Sequence, residues 1–476
     1  MSRRPRVLFV ASECVPFVKT GGLADVAGAL PVALARQGLE VSVVLPKYRA
    51  IDGAYTQRME HVWDAMLHLG WRTQYAGLER LRLGNVTYYF VDNEFYFGAS
   101  GVYSDGEWEV ERFSFFCKAV VELLPHMGDP ELLHLNDWQT GMIPPLLRAR
   151  GNPLPALFTI HNLGYQGVTS IQWLNSLLEL PGDYFTMDKL EFYGGASFMK
   201  GGLVFANRIT TVSPNYAREI LTPERGERLD GVLRSRAGDL EGVLNGIDTR
   251  AYDPGRDPWL AAPYGVGDLA GKARCRAALQ AEMGLAGGES PLIGIVSRLT
   301  GQKGFDLVRD ALDDMMADGV QLAVLGSGEP QYEEFFRWAC GRYPGQVGLW
   351  IGYNEGLAHR VYAGSDMLLM PSLFEPCGLA QMIAMRYGAI PIVRETGGLI
   401  DTVQPYNEVT GAGNGFTFAR CDGGDLLGAV RRACGWRGNG AAWRALMERD
   451  MALDFGWDRA ARRYQELYEG MLNADG

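Results

Sequence analysis

The sequence predicts two α/β domains in series, each built on a doubly wound parallel sheet. Three observations predict it. Short apolar runs rich in branched side chains recur along the chain and alternate with amphipathic stretches, the pattern of buried parallel strands separated by helices. The runs fall into two series, parted by the aperiodic Gly-, Asp- and Pro-rich stretch "EGVLNGIDTRAYDPGRDPW" at residues 241–259. The chain has 476 residues, enough for two or three domains at roughly 100–200 residues each.

In the first series, "RVLFVAS", "VSVVLP", "VTYYFVD", "LLHLND", "ALFTIHN" and "RITTVS" read as strands. The segment "ADVAGALPVALARQG" reads as a helix that closes on Gly38. In the second series the strands are "PLIGIVSRL", "VQLAVLG", "VGLWIGY", "MLLMPS" and "AIPIVRE", each followed by a helical stretch such as "GLAQMIAMRYG". In the tail, Trp457, Tyr464, Leu467 and Met471 recur near helical spacing, which reads as a docking helix. The expected division is residues 1–243, residues 244–455, and a terminal helix over 456–476 that packs back on the first domain.

The chain is 47% hydrophobic and 21% charged, with ample apolar material for large cores. A net charge of -11 disfavours nucleic acid as the main partner. Seven scattered cysteines without a C-x-x-C pair point to a reducing compartment. Glu13 cuts the first apolar run short of a signal-peptide core. No apolar run approaches the ~20 residues of a membrane span. A cytoplasmic protein is expected, with no membrane partner.

In open α/β sheets ligands bind beyond the carboxyl ends of the strands, and five such places carry chemistry. "KTGGLADVAG" puts Lys19, Gly21 and Gly22 at a strand-to-helix turn. It reads as an anion-binding turn or as an ordinary tight turn with a solvated lysine. "SRLTGQKGFDLV" brings Arg298 and Lys303 together around a glycine turn, a pair suited to a diphosphate. "SLFEPCGLAQMIAM" offers Glu375 as an acceptor for sugar hydroxyls and Gly378 at a helix start. Cys377 has no partner histidine in sequence and reads as a backbone and packing position. "RETGGLIDTV" repeats the first turn without an adjacent lysine, its closest cation being Arg394. "TIHNLGYQG" places His161 and Asn162 at a strand end. The G-x-x-x-x-G-K-[ST], G-x-G-x-x-G, H-E-x-x-H and G-x-S-x-G motifs and clustered Cys/His ligands are absent, so no metal and no cofactor are expected.

Together "KTGGLADV", "HN" after a strand, "LNGID", "SRLTGQKG", "FEPCGL" and "TGGLIDTV" resemble the bacterial glycogen synthases and plant starch synthases, in order and spacing along nearly the whole chain. The resemblance implies a GT-B architecture, two Rossmann-like domains facing across a cleft. It implies metal-independent transfer of glucose from ADP-glucose to the non-reducing end of an α-1,4-glucan, with retention. It implies that Arg298 and Lys303 hold the donor diphosphate and stabilise departing ADP, and that Glu375 binds the glucose hydroxyls. The amides of Cys377, Gly378 and Leu379, and of Thr396, Gly397 and Gly398, would cradle phosphate and sugar. Lys19 would reach the diphosphate from the opposite domain. His161, with Asn162 beside it, would sit near the anomeric centre, offering its main-chain carbonyl. Tyr353 would stack on adenine, Asn245 of "LNGID" would lie on the donor side, and Asp137 and Trp138 would lie toward the acceptor.

Two departures stand out. Leu373 replaces the arginine usual in "SRFEPCGL", and "GEWEVERFSFF" replaces the usual acceptor-side pattern around residues 104–113. Two alternatives are a GT-B glucosyltransferase using UDP-glucose with another acceptor, and a catalytically silent glucan-binding protein. A pyridoxal-phosphate-dependent phosphorylase is disfavoured for want of that family's lysine signature.

Overall fold

The computed structural model describes residues 5–99, 101–152 and 154–474. The chain divides into two compact units, residues 1–246 with 457–476, and residues 247–456.

The first unit is built on nine strands: β1 (Arg6–Val10), β2 (Glu40–Pro46), β3 (Glu60–Leu69), β4 (Arg72–Leu83), β5 (Val86–Asp92), β6 (Leu132–Asn136), β7 (Ala156–Ile160), β11 (Arg208–Thr211) and β12 (Leu240–Gly242). Three short strands, β8 (Val168–Ser170), β9 (Glu191–Phe192) and β10 (Gly195–Ser197), form a separate antiparallel sheet. The main sheet runs β12-β11-β7-β6-β1-β2-β5-β4-β3. It is parallel from β12 to β5 and antiparallel across β5-β4-β3. Among the parallel strands, β1, β2, β5, β6, β7 and β11 are the apolar runs of the sequence, because helices cover both faces, whereas the short edge strand β12, with sequence LEG, is absent from that reading.

The antiparallel β3–β4 hairpin is absent from the sequence reading. Met66 and its cross-strand partner Tyr75 are exposed on the outer face, and Trp63 stays partly exposed where it stacks on His126. The register shift between His61 and Trp63 confines the apolar alternation of β3 to Trp63, Ala65, Leu67 and Leu69, with exposed Met66 set among them.

The terminal helix Asp458–Ala474 packs on the helix Gly22–Arg36 of this unit. Its buried seam is Trp457, Ala461, Tyr464, Tyr468 and Met471. Tyr468, rather than neighbouring Leu467, points inward, and its hydroxyl bonds buried His134 Nδ1 at 2.7 Å. His134 Nε2 in turn meets Thr159 Oγ1 at 2.7 Å.

The second unit has one wholly parallel sheet of β13 (Leu292–Val296), β14 (Gln321–Gly326), β15 (Val347–Ile351), β16 (Met367–Met370), β17 (Ile390–Arg394) and β18 (Phe416–Phe418). The order is β15-β14-β13-β16-β17-β18. One face packs the large core around Phe305, Met315, Phe336 and Trp443. A smaller cluster around Leu279 and Val361 covers the other face. In each unit strand order reverses beside the first strand of its sheet, β1 in one and β13 in the other. That is where a doubly wound sheet opens a ligand crevice. Among the described residues no helix is long and apolar enough to cross a membrane.

Candidate active site

At the switch point of the second unit three loops knit together. The loop after β13 makes one 3-10 turn, Gly301–Lys303. Leu373 N donates to Gln302 O at 2.8 Å and Gln302 Nε2 to Phe374 O at 3.1 Å. This lacing aims Lys303 at the loop after β16, where Lys303 Nζ lies 2.6 Å from Glu375 Oε2. Ser372 Oγ donates to that same oxygen at 2.8 Å. Glu375 is buried, so both donors act in a medium that strengthens them.

The third loop follows β17. Gly398 N donates to the carbonyls of Glu375 and Pro376 at 3.0 and 3.1 Å. Gly397 has φ +48, and a Cβ there would lie 1.9 Å from the Glu375 carbonyl oxygen. Only glycine permits this approach. Thr396 is extended and buried just before the helix Gly397–Thr402. Cys377 is buried, Gly378 has φ +73, and Leu379 precedes the helix Ala380–Arg386. Gln381 Nε2 bonds the carbonyls of Cys377 and Gly378 and Thr402 Oγ1, tying the two loops together. These contacts bring Lys303, Glu375, Cys377, Thr396, Gly397 and Gly398 into one place.

Arg394 serves the fold of this loop. It is buried, and it donates to the carbonyls of Ser372, Leu373 and Ala419. It staples the loop that carries Glu375, while Leu373 packs against the core below. Arg298 is exposed at the end of β13. Tyr353, after β15, is 73% exposed, and its hydroxyl bonds Glu355.

In the first unit, the turn after β1 is organised by a residue the motif reading missed. Buried Glu13 accepts from Thr20 N at 2.6 Å and Thr20 Oγ1 at 2.7 Å. It also takes a backbone bond from Gly21. The anion at this helix start is therefore the protein's own carboxylate, not only a place for a ligand's. Burial raises the Glu13 pKa against the pull of those donors. Gly21 is extended and the helix begins at Gly22. Lys19 Nζ lies 2.8 Å from Asp25 Oδ1.

Beyond β6 and β7, Asp137 adopts φ +58 and accepts from the backbone amides of His161 at 2.7 Å and Asn162 at 3.3 Å. Burial pushes its carboxyl up to about 7. His161 Nε2 meets Asn136 Oδ1 at 2.9 Å. Asn136 Nδ2 donates to the carbonyls of Val10 and His134, so the oxygen must face the imidazole. His161 therefore carries its proton on Nε2 and presents Nδ1 as an acceptor. Burial holds it neutral, with a pKa of about 3. Trp138 is buried edge-on to Phe113 and Phe198. Asn245 is buried, and among the described residues its Oδ1 has no hydrogen-bond partner.

The segment around residues 104–113 is structural at two positions. Glu111 pairs with Arg72 and accepts from Tyr96 Oη. Arg112 is buried and donates to the carbonyls of Tyr96, Gly101 and Val102. Among the described residues no group of three or more His, Cys, Asp or Glu could hold a metal ion.

Comparison with known proteins follows the same division. Residues 6–235 match the starch synthase catalytic domain family, and residues 281–434 match the glycosyl transferases group 1 family. The chain is 50% identical to the glycogen synthase of Geobacillus thermodenitrificans over 481 aligned positions, covering 99% of this chain and 98% of that one. It is 48% identical to the glycogen synthase of Desulforamulus reducens, covering 98% and 99%. Among solved structures, the catalytic domain of Starch Synthase IV from Arabidopsis thaliana, bound to ADP and acarbose, is similar with a TM-score of 0.92. Its identity is 34%, over 99% of this chain and 100% of that one. Sucrose-phosphate synthase from Thermosynechococcus elongatus shares the fold, with a TM-score of 0.65 at 18% identity over 99% of this chain and 100% of that one.

Proposed function

Because this chain belongs to the family of bacterial glycogen synthases and plant starch synthases, a family of GT-B glycosyltransferases, we infer that it moves glucose from ADP-glucose to the non-reducing end of an α-1,4-glucan, with retention, in the cytoplasm. The observation that carries this reading is the Lys303–Glu375–Ser372 cluster at the switch point of the second unit. A cation and a carboxylate held side by side match the two needs of a sugar nucleotide: charge for the diphosphate and an acceptor for the sugar hydroxyls.

The reaction breaks the bond between the anomeric carbon and the diphosphate oxygen, so negative charge grows on ADP. Prepositioned cations act most strongly where charge develops. Lys303 and Arg298 supply that charge in this reading, and Lys19 adds to it. Glu375 Oε2 is engaged by Lys303 and Ser372, which directs its other oxygen to the glucosyl hydroxyls. The Cys377–Leu379 and Thr396–Gly398 amides line the donor, and Tyr353 packs on the base. His161, neutral and fixed through Asn136 and Asp137, offers acceptors near the anomeric carbon and no acid proton. Asn162 and Asn245 contribute polar contacts to the donor. Asp137 shapes the acceptor side, and Trp138 supports it from beneath.

The attacking glucan hydroxyl enters on the face from which ADP leaves, through an oxocarbenium-like state, and its proton passes to the departing diphosphate oxygen on that face. Glu375 has a cation and a hydroxyl bonded to its Oε2, the surroundings of a substrate-binding carboxylate; a double displacement would use a pair of carboxylates roughly 5–5.5 Å apart. The deciding experiment is ADP release with glycogen and either ADP-glucose or UDP-glucose. Turnover with ADP-glucose is the expected result. Preference for UDP-glucose would move the chain to another glucosyltransferase class, and glucan binding without ADP release would make it a binding protein.

A further inference from the structure

A second polar cluster in the same unit meets the donor site described above through Tyr353. His359 is buried on the helix Glu355–Gly364 with a carboxylate at each ring nitrogen. Nδ1 lies 2.6 Å from Asp257 Oδ2, and Nε2 lies 3.4 Å from Glu355 Oε1. Asp257 comes from the segment that opens this unit. It also accepts from Tyr387 Oη at 2.6 Å and from Trp259 N at 2.9 Å. Tyr252 stacks on the imidazole, ring centroids 4.9 Å apart and 24° from parallel, and its hydroxyl reaches Glu355 Oε1 at 3.3 Å. The other oxygen of Glu355 accepts from Tyr353 Oη. A continuous run of polar contacts, with the 3.4 Å ion pair of His359 and Glu355 as its middle link, thus leads from buried Asp257 to exposed Tyr353.

We propose that His359, as an imidazolium clamped between Asp257 and Glu355, is a positioning residue that orients Tyr353 for the nucleotide base. The proposal rests on the reading that Tyr353 packs on that base. Two carboxylates facing both ring nitrogens require a proton on each. A neutral imidazole would turn one of those contacts into a lone-pair clash. The restraint matters because a tyrosine 73% exposed would otherwise lose rotamer freedom at the moment of binding, at the expense of affinity. Glu355, fixed by His359 and Tyr252 on one oxygen, restricts Tyr353 beforehand.

The groups that face the imidazole are Asp257, Glu355, Tyr252 and Tyr387. Behind Tyr387 stand Tyr264, Tyr362 and Lys272, whose Nζ donates to the Tyr387 carbonyl, and Arg386 reaches the Tyr252 carbonyl. Burial disfavours the charged ring, but the bonds to Glu355 and Asp257 outweigh it and raise its pKa above the usual 6.5. The device therefore holds below that raised value and relaxes as pH rises through it.

The test is calorimetric titration of the full-length enzyme with ADP, with kcat and KM for ADP-glucose measured alongside. His359→Gln should raise the Kd for ADP about fivefold, the scale of one lost hydrogen bond, with kcat at saturation kept. In a Tyr353→Phe background, which lacks the hydroxyl that Glu355 holds, His359→Gln should have no further effect. Wild-type ADP affinity should fall as pH rises through the raised pKa of His359, and His359→Gln should abolish that fall. Should His359→Gln unfold the unit, Glu355→Gln, at a partly exposed site, replaces it with the same expectations. An equal loss in wild-type and Tyr353→Phe backgrounds would overturn the proposal by showing a merely structural role. Tyr353→Ala separates the two readings: if it leaves ADP affinity unchanged, the assignment of Tyr353 to the base fails first and the positioning proposal falls with it.

Discussion

Lys303 Nζ and Glu375 Oε2 stand 2.6 Å apart at the crossover of the second sheet, although 72 residues separate them in sequence. The pair couples the two roles of the donor site. Each side chain holds the other in place before any sugar nucleotide arrives.

Lys303→Ala should lower kcat by on the order of 10²–10³, the scale of removing one preplaced donor from a developing anion. It also leaves a buried carboxylate with one donor fewer, so stability should fall by about 1–3 kcal/mol. ADP-release kinetics and urea unfolding measure the two effects. Near-normal turnover in a folded variant would remove Lys303 from the mechanism.

Ser372→Ala deletes the hydroxyl donor to Glu375 and nothing that touches phosphate in this reading. A hydrogen bond to a charged group is worth about 1.5–3 kcal/mol, so kcat/KM for ADP-glucose should fall roughly 10- to 150-fold. Ser372→Thr should recover part of the loss. An alanine variant with wild-type kcat/KM would show that Lys303 alone holds the carboxylate.

Gly397→Ala places a methyl group against the Glu375 carbonyl at a backbone angle that costs other residues about 1–3 kcal/mol. The melting temperature should drop, and residual activity should show a weakened KM for the donor. An unchanged melting curve would mean that the loop has room to move away.

His161 should stay neutral, with hydrogen on Nε2, across pH 5 to 8, because burial holds its pKa near 3 and Asn136 accepts from Nε2. Nitrogen-15 chemical shifts of the labelled imidazole report this directly. A titration near 6.5 would contradict it.

Asp450 sets a stability test. It is fully buried, neither carboxylate oxygen has a hydrogen-bond partner among the described residues, and burial pushes it up to about 8. The folded state therefore holds a proton that the unfolded chain releases near pH 4. Its contribution to stability is complete below about pH 4 and is lost as pH rises toward 8. Asp450→Asn cannot ionise, so its advantage over wild type in melting temperature should grow between pH 5 and 8.5. Parallel curves for the two proteins would refute this.

The parallel strands and the strand-end motifs were legible because each is a local pattern. An apolar run marks a buried strand, and a glycine turn beside a cation marks its carboxyl end. The residues that organise those motifs were hidden for the opposite reason. Glu13 carries no signal until the chain folds Thr20 back onto it. Asn136 fixes His161 from the neighbouring strand. Arg394 looked like a spare cation beside a glycine turn, yet its guanidinium is consumed by three carbonyls. The β3–β4 hairpin was missed because its outer face is wet and its period is interrupted.

The seam of Trp457, Tyr464 and Tyr468 also fixes an order of assembly during synthesis. The second unit is one uninterrupted stretch, so it can close as soon as residue 456 has left the ribosome. The first unit is encoded earlier but lacks its last packing strip, and the hydroxyl that meets His134, until Tyr468 emerges. The half that is translated first is therefore the half that is finished last, and while it waits it exposes the surface that this helix later covers.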